Sequence, residues 1–360
     1  MRQPLVQRTH LRADESFLHN LPKAELHVHL DGSLRPQTMF ELATEREVSL
    51  PVSSIESLAS YMTVPEGSSL EGYLERFELT LLVMQDSDAL ERIAYELVLD
   101  HAAENVRWLE LRFCPQLNRE QGLSAEEVLD SVLRGMRQAE NDVAERGQSI
   151  QSGIILCGLR SHSSAVTSET AELAVAYMRQ GVCGFDLAGA EAGHPVLNHR
   201  HAIKRAYQAG LPITLHAGEG FGPESIQQAL EFGHASRIGH GTRLFEDPTL
   251  MELVRKLRIP LEVCLTSNLQ TGVVHSLAEH PAQQYLKLGI PISLSTDNRL
   301  MSAVTLTDEY TLARDAFNST EKELVAIART GFEHAFTDSA RRSDLLHEFD
   351  QHVEESLFQD

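Results

Sequence analysis

The chain has 360 residues, of which 42% are hydrophobic, and its 31 basic and 52 acidic side chains give a formal net charge of −21. This composition indicates a soluble globular protein. The negative charge disfavours nucleic acid and anionic membranes as partners, because both are bound through clustered Lys and Arg. A single nucleoside remains compatible with it.

The N-terminal segment MRQPLVQRTHLRADESFLHN has neither the apolar core of a signal peptide nor a membrane-spanning stretch. We therefore predict a cytoplasmic protein. The four cysteines form no C-x-x-C pair, so a cysteine zinc site is excluded and reduced core residues are expected. They are Cys114, Cys157, Cys183 and Cys264.

Eight short apolar runs, bounded by Gly, Pro or polar residues, are predicted as buried strands. They span residues 24–30, 107–113, 153–159, 182–187, 212–216, 236–240, 260–265 and 291–296. Helical patterns separate them. Two of these are PESIQQALEFG, between the fifth and sixth strands, and LAEHPAQQYLKLG, between the seventh and eighth.

The gap between the first two strands is far longer than the others and carries helical patterns, so we predict an inserted helical cover over about residues 35–106. Eight βα units predict an α/β fold, a TIM (β/α)8 barrel, with residues 1–360 forming one domain. The alternative is an open doubly wound sheet. The absence of a G-x-G-x-x-G turn disfavours that alternative.

The first strand ends in His27-Val28-His29. Because side chains alternate along a strand, both imidazoles lie on one face, where they can hold a metal ion together. An isolated H-x-H in a chain with 17 histidines can equally be structural. The other strand ends decide between these interpretations.

Three other predicted strands also end in groups suited to a metal site. His216 is followed by Glu219 after the fifth strand, His240 ends the sixth, and Asp297 ends the eighth. The carboxyl ends of barrel strands meet at one rim, so these groups are expected to come together. Alone, Glu219 would be a loop acid, His240 a core histidine and Asp297 a helix cap.

Other histidines are expected on the solvated surface because they lie in polar loops or helical connections. They are His194, His199, His201, His275 and His280. A binuclear site bridged by a modified lysine is disfavoured, because no Lys ends the fourth strand. Iron stays open as the metal, since ligand type does not fix it. Hydrolysis suits the set of groups better.

Three imidazoles and one carboxylate around one Zn²⁺ would hold a water whose pKa falls toward about 7. His240 beside it could take or orient a proton of that water. Glu219, if desolvated, could stay protonated and donate. The residues alone thus predict metal-assisted hydrolytic attack on a trigonal carbon, with no substrate identified.

The motifs PKAELHVHLDGSL, GFDLAG, HAGE, RIGHGTR and SLSTDN occur in this order between about Leu21 and Asp338. Together they resemble the adenosine deaminase family. The resemblance implies deamination of adenosine or 2′-deoxyadenosine, giving inosine or 2′-deoxyinosine and ammonia, in purine salvage. It also implies one zinc ion per chain and a purine nucleoside as partner. The oligomeric state is not indicated.

The resemblance assigns roles residue by residue. The zinc ligands would be His27, His29, His216 and Asp297. Glu219 would donate a proton to the purine ring, and His240 would position and activate the water. Substrate contacts would come from His29, Asp31 at the ribose hydroxyl, the Gly189 backbone amide and Asn298. A helical lid would be formed by Tyr73, Leu74 and Phe77.

The chain departs from the family pattern at two places. Asn298 and Arg299 stand where many members have Asp and Pro, and Ala190 replaces a common acidic residue. An Asn amide still donates to a purine nitrogen. Free adenine, methylated adenylate and aminodeoxyfutalosine remain alternative substrates, and an inactive nucleoside-binding scaffold is a further alternative. The DLAG turn favours a ribosyl substrate, and the absence of an extra basic cluster disfavours AMP.

Overall fold

The computed structural model describes residues 14–358. Eight parallel strands alternate with helices, as predicted, and each predicted strand overlaps an observed one. The strands are β1 (Lys23–His29), β2 (Val106–Phe113), β3 (Gln151–Leu159), β4 (Val182–Ala188), β5 (Thr214–Ala217), β6 (Arg237–His240), β7 (Leu261–Val263) and β8 (Ile292–Leu294).

The strands run in the order β1-β2-β3-β4 in one sheet and β5-β6-β7-β8 in a second. Two further parallel bridges join the sheets, Phe185 with Ile213 at one seam and Val28 with Asp297 at the other. The strand order therefore runs around a barrel, and the predicted (β/α)8 fold class is confirmed.

Five helices fill the long connection between β1 and β2, where the sequence predicts a helical cover. They are α2 (Pro36–Glu45), α3 (Ile55–Met62), α4 (Leu70–Leu74), α5 (Phe77–Leu82) and α6 (Ser87–Ala103). The short helix α1 (Glu15–Asn20) precedes β1. Helices α4 and α5 lie over the carboxyl ends of the strands, where Tyr73 and Phe77 line a cavity.

The remaining helices follow β2 to β8 or extend the C-terminal end. They are α7 (Ala125–Glu145), α8 (Ser164–Tyr177), α9 (Arg200–Gln208), α10 (Pro223–Glu231), α11 (Pro248–Leu257), α12 (Leu265–Gln270), α13 (Ala282–Leu288), α14 (Arg299–Ser302), α15 (Leu306–Phe317), α16 (Glu321–Glu333) and α17 (Ser339–Phe358). Capping fixes several starts. The Ser124 side chain, for example, accepts from the Glu127 amide while the Glu127 side chain accepts from that of Ser124.

One predicted helix is wrong in extent. The pattern LAEHPAQQYLKLG forms a short 3-10 turn, Leu277–Glu279, and then α13, which begins only after Pro281. Proline disfavours helical geometry in the residue before it, so the pattern breaks at His280. The break leaves His280 buried rather than on the surface.

The four cysteines are free; Cys114, Cys157 and Cys264 are buried as predicted, whereas Cys183 is half-buried rather than in the core. Within residues 14–358, no helix has the length and apolar character needed to cross a membrane. The prediction that the N-terminal segment is not a signal peptide falls largely on residues 1–13, which lie outside the described part of the chain.

Candidate active site

The strand ends bring the predicted metal ligands together. The Nε2 atom of His216 lies 3.0 Å from Nε2 of His27 and 3.2 Å from Nε2 of His29. Asp297 Oδ1 lies 3.6 Å from Nε2 of His27 and 3.4 Å from Nε2 of His29. Ligand atoms held about 2.0–2.1 Å from a tetrahedral zinc are about 3.4 Å apart, so the spacing fits a metal of this size.

Backbone pairing at the seam places Asp297 beside β1. Its amide donates to the His27 carbonyl at 2.9 Å, and its carbonyl accepts from the His29 amide at 2.7 Å. The residue has a φ of 59°, a conformation that is unusual outside glycine and is retained here by those two bonds. Ser267 Oγ donates to Asp297 Oδ2 at 2.7 Å and orients the carboxylate.

Two of the imidazoles are oriented by buried carboxylates. His27 Nδ1 lies 2.8 Å from Glu262 Oε2, and His216 Nδ1 lies 2.8 Å from Asp186 Oδ2. A carboxylate only accepts, so in the neutral rings each Nδ1 carries the proton and each Nε2 keeps its lone pair. Two lone pairs facing each other need a cation between them. The donor set therefore fits a metal on electronic grounds as well as by distance.

The carboxylates themselves are held by buried arginines. Arg112 donates to Asp186 at 3.0 Å and to Glu262 at 2.9 Å, and Arg237 Nε donates to Glu262 at 2.6 Å. Thr214 Oγ1 completes the set at Glu262 with a 2.8 Å bond. This charged layer lies inside the barrel, directly beneath the imidazoles.

Sequence reasoning missed the supporting residues. Asp186 and Glu262 are charged residues within otherwise apolar predicted strands, and that pattern was a usable signal. Glu191 carried no such signal. Its carboxylate accepts from the amides of Gly218, Glu219 and Gly220 at 2.8–2.9 Å. Although Ala190 stands where an acidic residue is common in the family, the next residue, Glu191, is acidic and contacts the loop.

His240 enters the site from the end of β6. Its ring centroid lies 4.8 Å from that of His27, and a Cβ on Gly239 would come within 3.0 Å of the His27 ring. His240 has a φ of 62°, so the chain turns sharply after the strand. Its ligand atom also joins those of His27, His216 and Asp297 in a group in which all lie within 4.8 Å of one another.

Glu219 is buried and lies beside His240, with 3.5 Å between Oε2 and Nε2. Burial raises the pKa of Glu219 well above its usual range, and the negative charges of Asp297 and Glu191 raise it further. These two causes favour the protonated form of the carboxyl group. Gly218, with a φ of 76°, makes the turn that brings it back over the strand ends.

His29, His216, Glu219, His240 and Asp297 line one cavity of about 470 Å³. The predicted substrate-contact residues Asp31, Gly189 and Asn298 line it too, as do the predicted lid residues Tyr73, Leu74 and Phe77. Burial raises the pKa of Asp31 to about 7. Among the described residues that line the cavity there is no Lys or Arg.

Two of the five histidines predicted to be on the surface are not there. His199 and His280 are buried, while His194 is half-buried and His201 and His275 are exposed. His199 Nδ1 contacts Thr167 Oγ1, on helix α8 between β3 and β4, at 2.9 Å. His280 contacts Asn268, which in turn contacts His240 in the site.

Comparison with known proteins agrees with the motifs. A family model described as adenosine deaminase matches residues 22–352. The chain belongs to the adenosine deaminase family. The adenosine deaminase of Vibrio vulnificus is 40% identical over 330 residues, which cover 91% of this chain and 98% of that protein. That of Mycobacterium leprae is 40% identical over 340 residues, with 91% and 93% covered.

Several solved structures share the fold. An adenine deaminase from Arthrobacter aurescens superposes with a TM-score of 0.83 at 27% identity, covering 92% of this chain and 99% of that one. An Arabidopsis N6-mAMP deaminase gives 0.84 at 30% identity, with 93% and 99% covered. A Burkholderia amidohydrolase with bound Zn gives 0.86 at 25% identity, with 98% of each chain covered.

Proposed function

We propose that this protein hydrolyses adenosine and 2′-deoxyadenosine to inosine or 2′-deoxyinosine and ammonia, as a cytoplasmic enzyme of purine salvage. The observation that carries the proposal is a buried Glu219, whose pKa is raised by burial, in the same cavity as the imidazole–carboxylate cluster. Hydrolytic deamination needs both an activated water and a proton donor for the purine ring.

Zinc is the proposed metal, one ion per chain, held by His27, His29, His216 and Asp297. When bound, such an ion supplies Lewis acidity that makes water a nucleophile near neutral pH. The protein supplies the rest. Glu262 and Asp186 orient two of the imidazoles, and the helical cover keeps bulk water out of the cavity.

Glu219 is the proposed proton donor. As the water oxygen forms a bond to C6, the Glu219 proton passes to a ring nitrogen, and the electrons of the C6–N double bond move onto that nitrogen. The carbon becomes tetrahedral. The exocyclic nitrogen takes one proton from the attacking water and leaves as ammonia with the electrons of its bond to C6. The proton of the remaining hydroxyl passes to the Glu219 carboxylate as the C6=O double bond forms, and the ring nitrogen keeps its new proton. His240 is placed to orient the attacking water.

The cavity wall supports a nucleoside rather than a nucleotide. Asp31, Glu78 and Glu219 contribute carboxyl groups to its lining, and no described Lys or Arg is there to neutralise a phosphate. The proposed contacts are Asp31 with the ribose hydroxyl, the Gly189 amide with the purine, and His29 and Asn298 with the substrate. Asn298 Oδ1, buried without a partner among the described residues, is available for such a bond.

The test is the ultraviolet change on mixing zinc-loaded protein with adenosine, adenine, AMP or aminodeoxyfutalosine in separate reactions. We expect rapid turnover of adenosine alone among the first three, and its loss in Glu219→Gln. Turnover of only adenine or only aminodeoxyfutalosine would replace the proposed substrate. Zinc-bound protein that converts none of the four would leave the inactive-scaffold alternative.

A further inference from the structure

The second ring nitrogen of His240 has a partner of a different kind from those of His27 and His216. Its Nδ1 lies 3.2 Å from Nδ2 of Asn268, which is buried. An amide nitrogen donates hydrogen bonds, whereas the carboxylates beside the other two rings accept them. Which hydrogen sits on which atom of His240 therefore depends on how the Asn268 amide is oriented.

The orientation of the Asn268 amide is set by His280, whose own proton position is set by the backbone amide of Ala282. The Ala282 N–H donates to His280 Nδ1 at 3.1 Å, so this nitrogen has no proton of its own. Burial lowers the pKa of His280 to about 3, and the ring is neutral. Its single proton must then be on Nε2, which faces Asn268 Oδ1 at 3.1 Å.

The Asn268 amide consequently has one acceptable orientation. Its oxygen accepts from His280 Nε2 and also from Thr242 Oγ1, at 2.8 Å. A flipped amide would set its NH₂ group against the His280 N–H, two donors facing each other in a buried place. The NH₂ group thus points to His240 Nδ1, which accepts, and the proton of the neutral His240 ring lies on Nε2.

We propose that His280 and Asn268 form a relay that fixes His240 as a hydrogen-bond donor to the reacting atoms and keeps it from binding the metal. The relay consists of four residues linked in the order Ala282, His280, Asn268 and His240. A proton added to His240 Nδ1 would face the Asn268 NH₂ group, donor against donor. The relay therefore also disfavours His240 as a proton acceptor. Of the two roles expected for His240, it orients the water and does not take its proton.

The relay also separates the metal ligands from their neighbour. His27 and His216 have carboxylates at Nδ1 and a free lone pair at Nε2, as a ligand requires. His240 has the reverse arrangement, since its Nε2 carries a proton. Although its ligand atom lies within the same close group, it is excluded, and His29 is the third imidazole of the set.

The inference rests on the proposed function for its catalytic meaning, and it has a readout of its own. Long-range proton–nitrogen NMR correlations on protein labelled with ¹⁵N-histidine distinguish the two neutral tautomers. The His240 signals are assigned by their loss in His240→Gln. We expect the Nε2–H form in the zinc-loaded wild type. The Nδ1–H form there would overturn the relay.

Asn268→Asp is the decisive variant, because it keeps the side-chain shape and replaces the donor with an acceptor. We expect His240 to change to the Nδ1–H form and kcat to fall by as much as about 10⁴-fold, the loss caused in a catalytic triad by a histidine held in the wrong tautomer. KM should change by less than about threefold, because His240 acts on the water rather than on substrate binding. An unchanged tautomer in this variant would also overturn the relay.

Thr242→Val is the matched control. It removes the other donor to Asn268 Oδ1 and leaves His280 in place, so the tautomer should stay as in the wild type. A tautomer change in Thr242→Val would show that His280 does not fix the amide. If Asn268→Asp fails to fold, the wild type and Thr242→Val still decide. If NMR shows the Nε2–H form of His240 but the protein does not convert adenosine, the relay is retained and the proposed substrate is rejected.

Discussion

The backbone amide of Glu219 donates a 2.8 Å hydrogen bond to Oε1 of Glu191, which lies in the loop after β4. The same carboxylate accepts from the amides on either side of Glu219. One side chain therefore holds three successive amides of the loop that carries the proposed proton donor. Its negative charge also raises the pKa of Glu219.

Glu191→Gln should lower kcat by about 10²-fold, because a misplacement near 1 Å in a proton donor costs about that factor. The amide retains one oxygen but turns an NH₂ group toward a backbone N–H. The measurement is steady-state kinetics on adenosine together with zinc content. Glu224→Gln, an exposed change of the same charge in α10, is the control and should leave kcat unchanged. Equal kcat in the two variants would contradict this role for Glu191.

Ser267→Ala should weaken metal binding by about 10–100-fold, since the hydroxyl is the group that orients Asp297 Oδ2. The measurement is competition for zinc against a chelator of known affinity. Ser293→Ala provides the control, because its buried hydroxyl has no partner among the described residues. Equal zinc affinities in the two variants would show that Ser267 does not orient a ligand.

Phe77→Ala should raise KM for adenosine by about tenfold, with a smaller effect on kcat. The ring lines the cavity and its centroid lies 6.3 Å from that of His29, so truncation removes apolar surface facing the substrate. Leu82→Ala, on the same helix but 43% exposed, should leave KM unaltered. A KM unchanged in Phe77→Ala would remove α5 from the proposed lid.

Glu309 should make stability depend on pH. Its carboxyl accepts from the amides of Leu265 and Thr266, and burial raises its pKa from 4.5 to about 7. The folded state then holds a proton that the unfolded state has lost, so this contribution is present below pH 4.5 and disappears as the pH rises through about 7. Each unit of pKa difference corresponds to about 1.4 kcal/mol.

Glu309→Gln, which imitates the protonated acid, should remove this part of the decline. The measurement is urea unfolding of both proteins at about pH 4 and about pH 8, each side of the window. The wild type should lose more free energy of unfolding between the two conditions than the variant. Parallel losses would mean that Glu309 titrates alike in both states.

Much of the site could be predicted because its residues lie at strand ends. The H-x-H alternation of β1, the position of His216 and His240, and the Asp297 that follows β8 all have local signatures. The barrel supplied the missing information, since its strand ends share one rim. The helical cover was predictable for a similar reason, from its length and periodicity.

The supporting hydrogen bonds could not be predicted in the same way. Glu262 contacts His27 from a strand 235 residues further along the chain, and the direction of each hydrogen bond depends on atoms in three elements. His280 illustrates the difficulty most clearly. Its position in a helical connection between two strands predicted exposure, whereas the break before Pro281 turns the ring inward to Asn268.

The proposed metal ligands are divided between the two sheets. His27 and His29 end a strand of the first, while His216 and Asp297 follow strands of the second. Neither sheet alone can assemble the set. Binding of the proposed metal therefore requires that both halves of the barrel are assembled, and its binding free energy would stabilise their junction in preference to either half. Removal of the metal by a chelator should therefore destabilise that junction first, so the site would stabilise the fold as well as carry out the reaction.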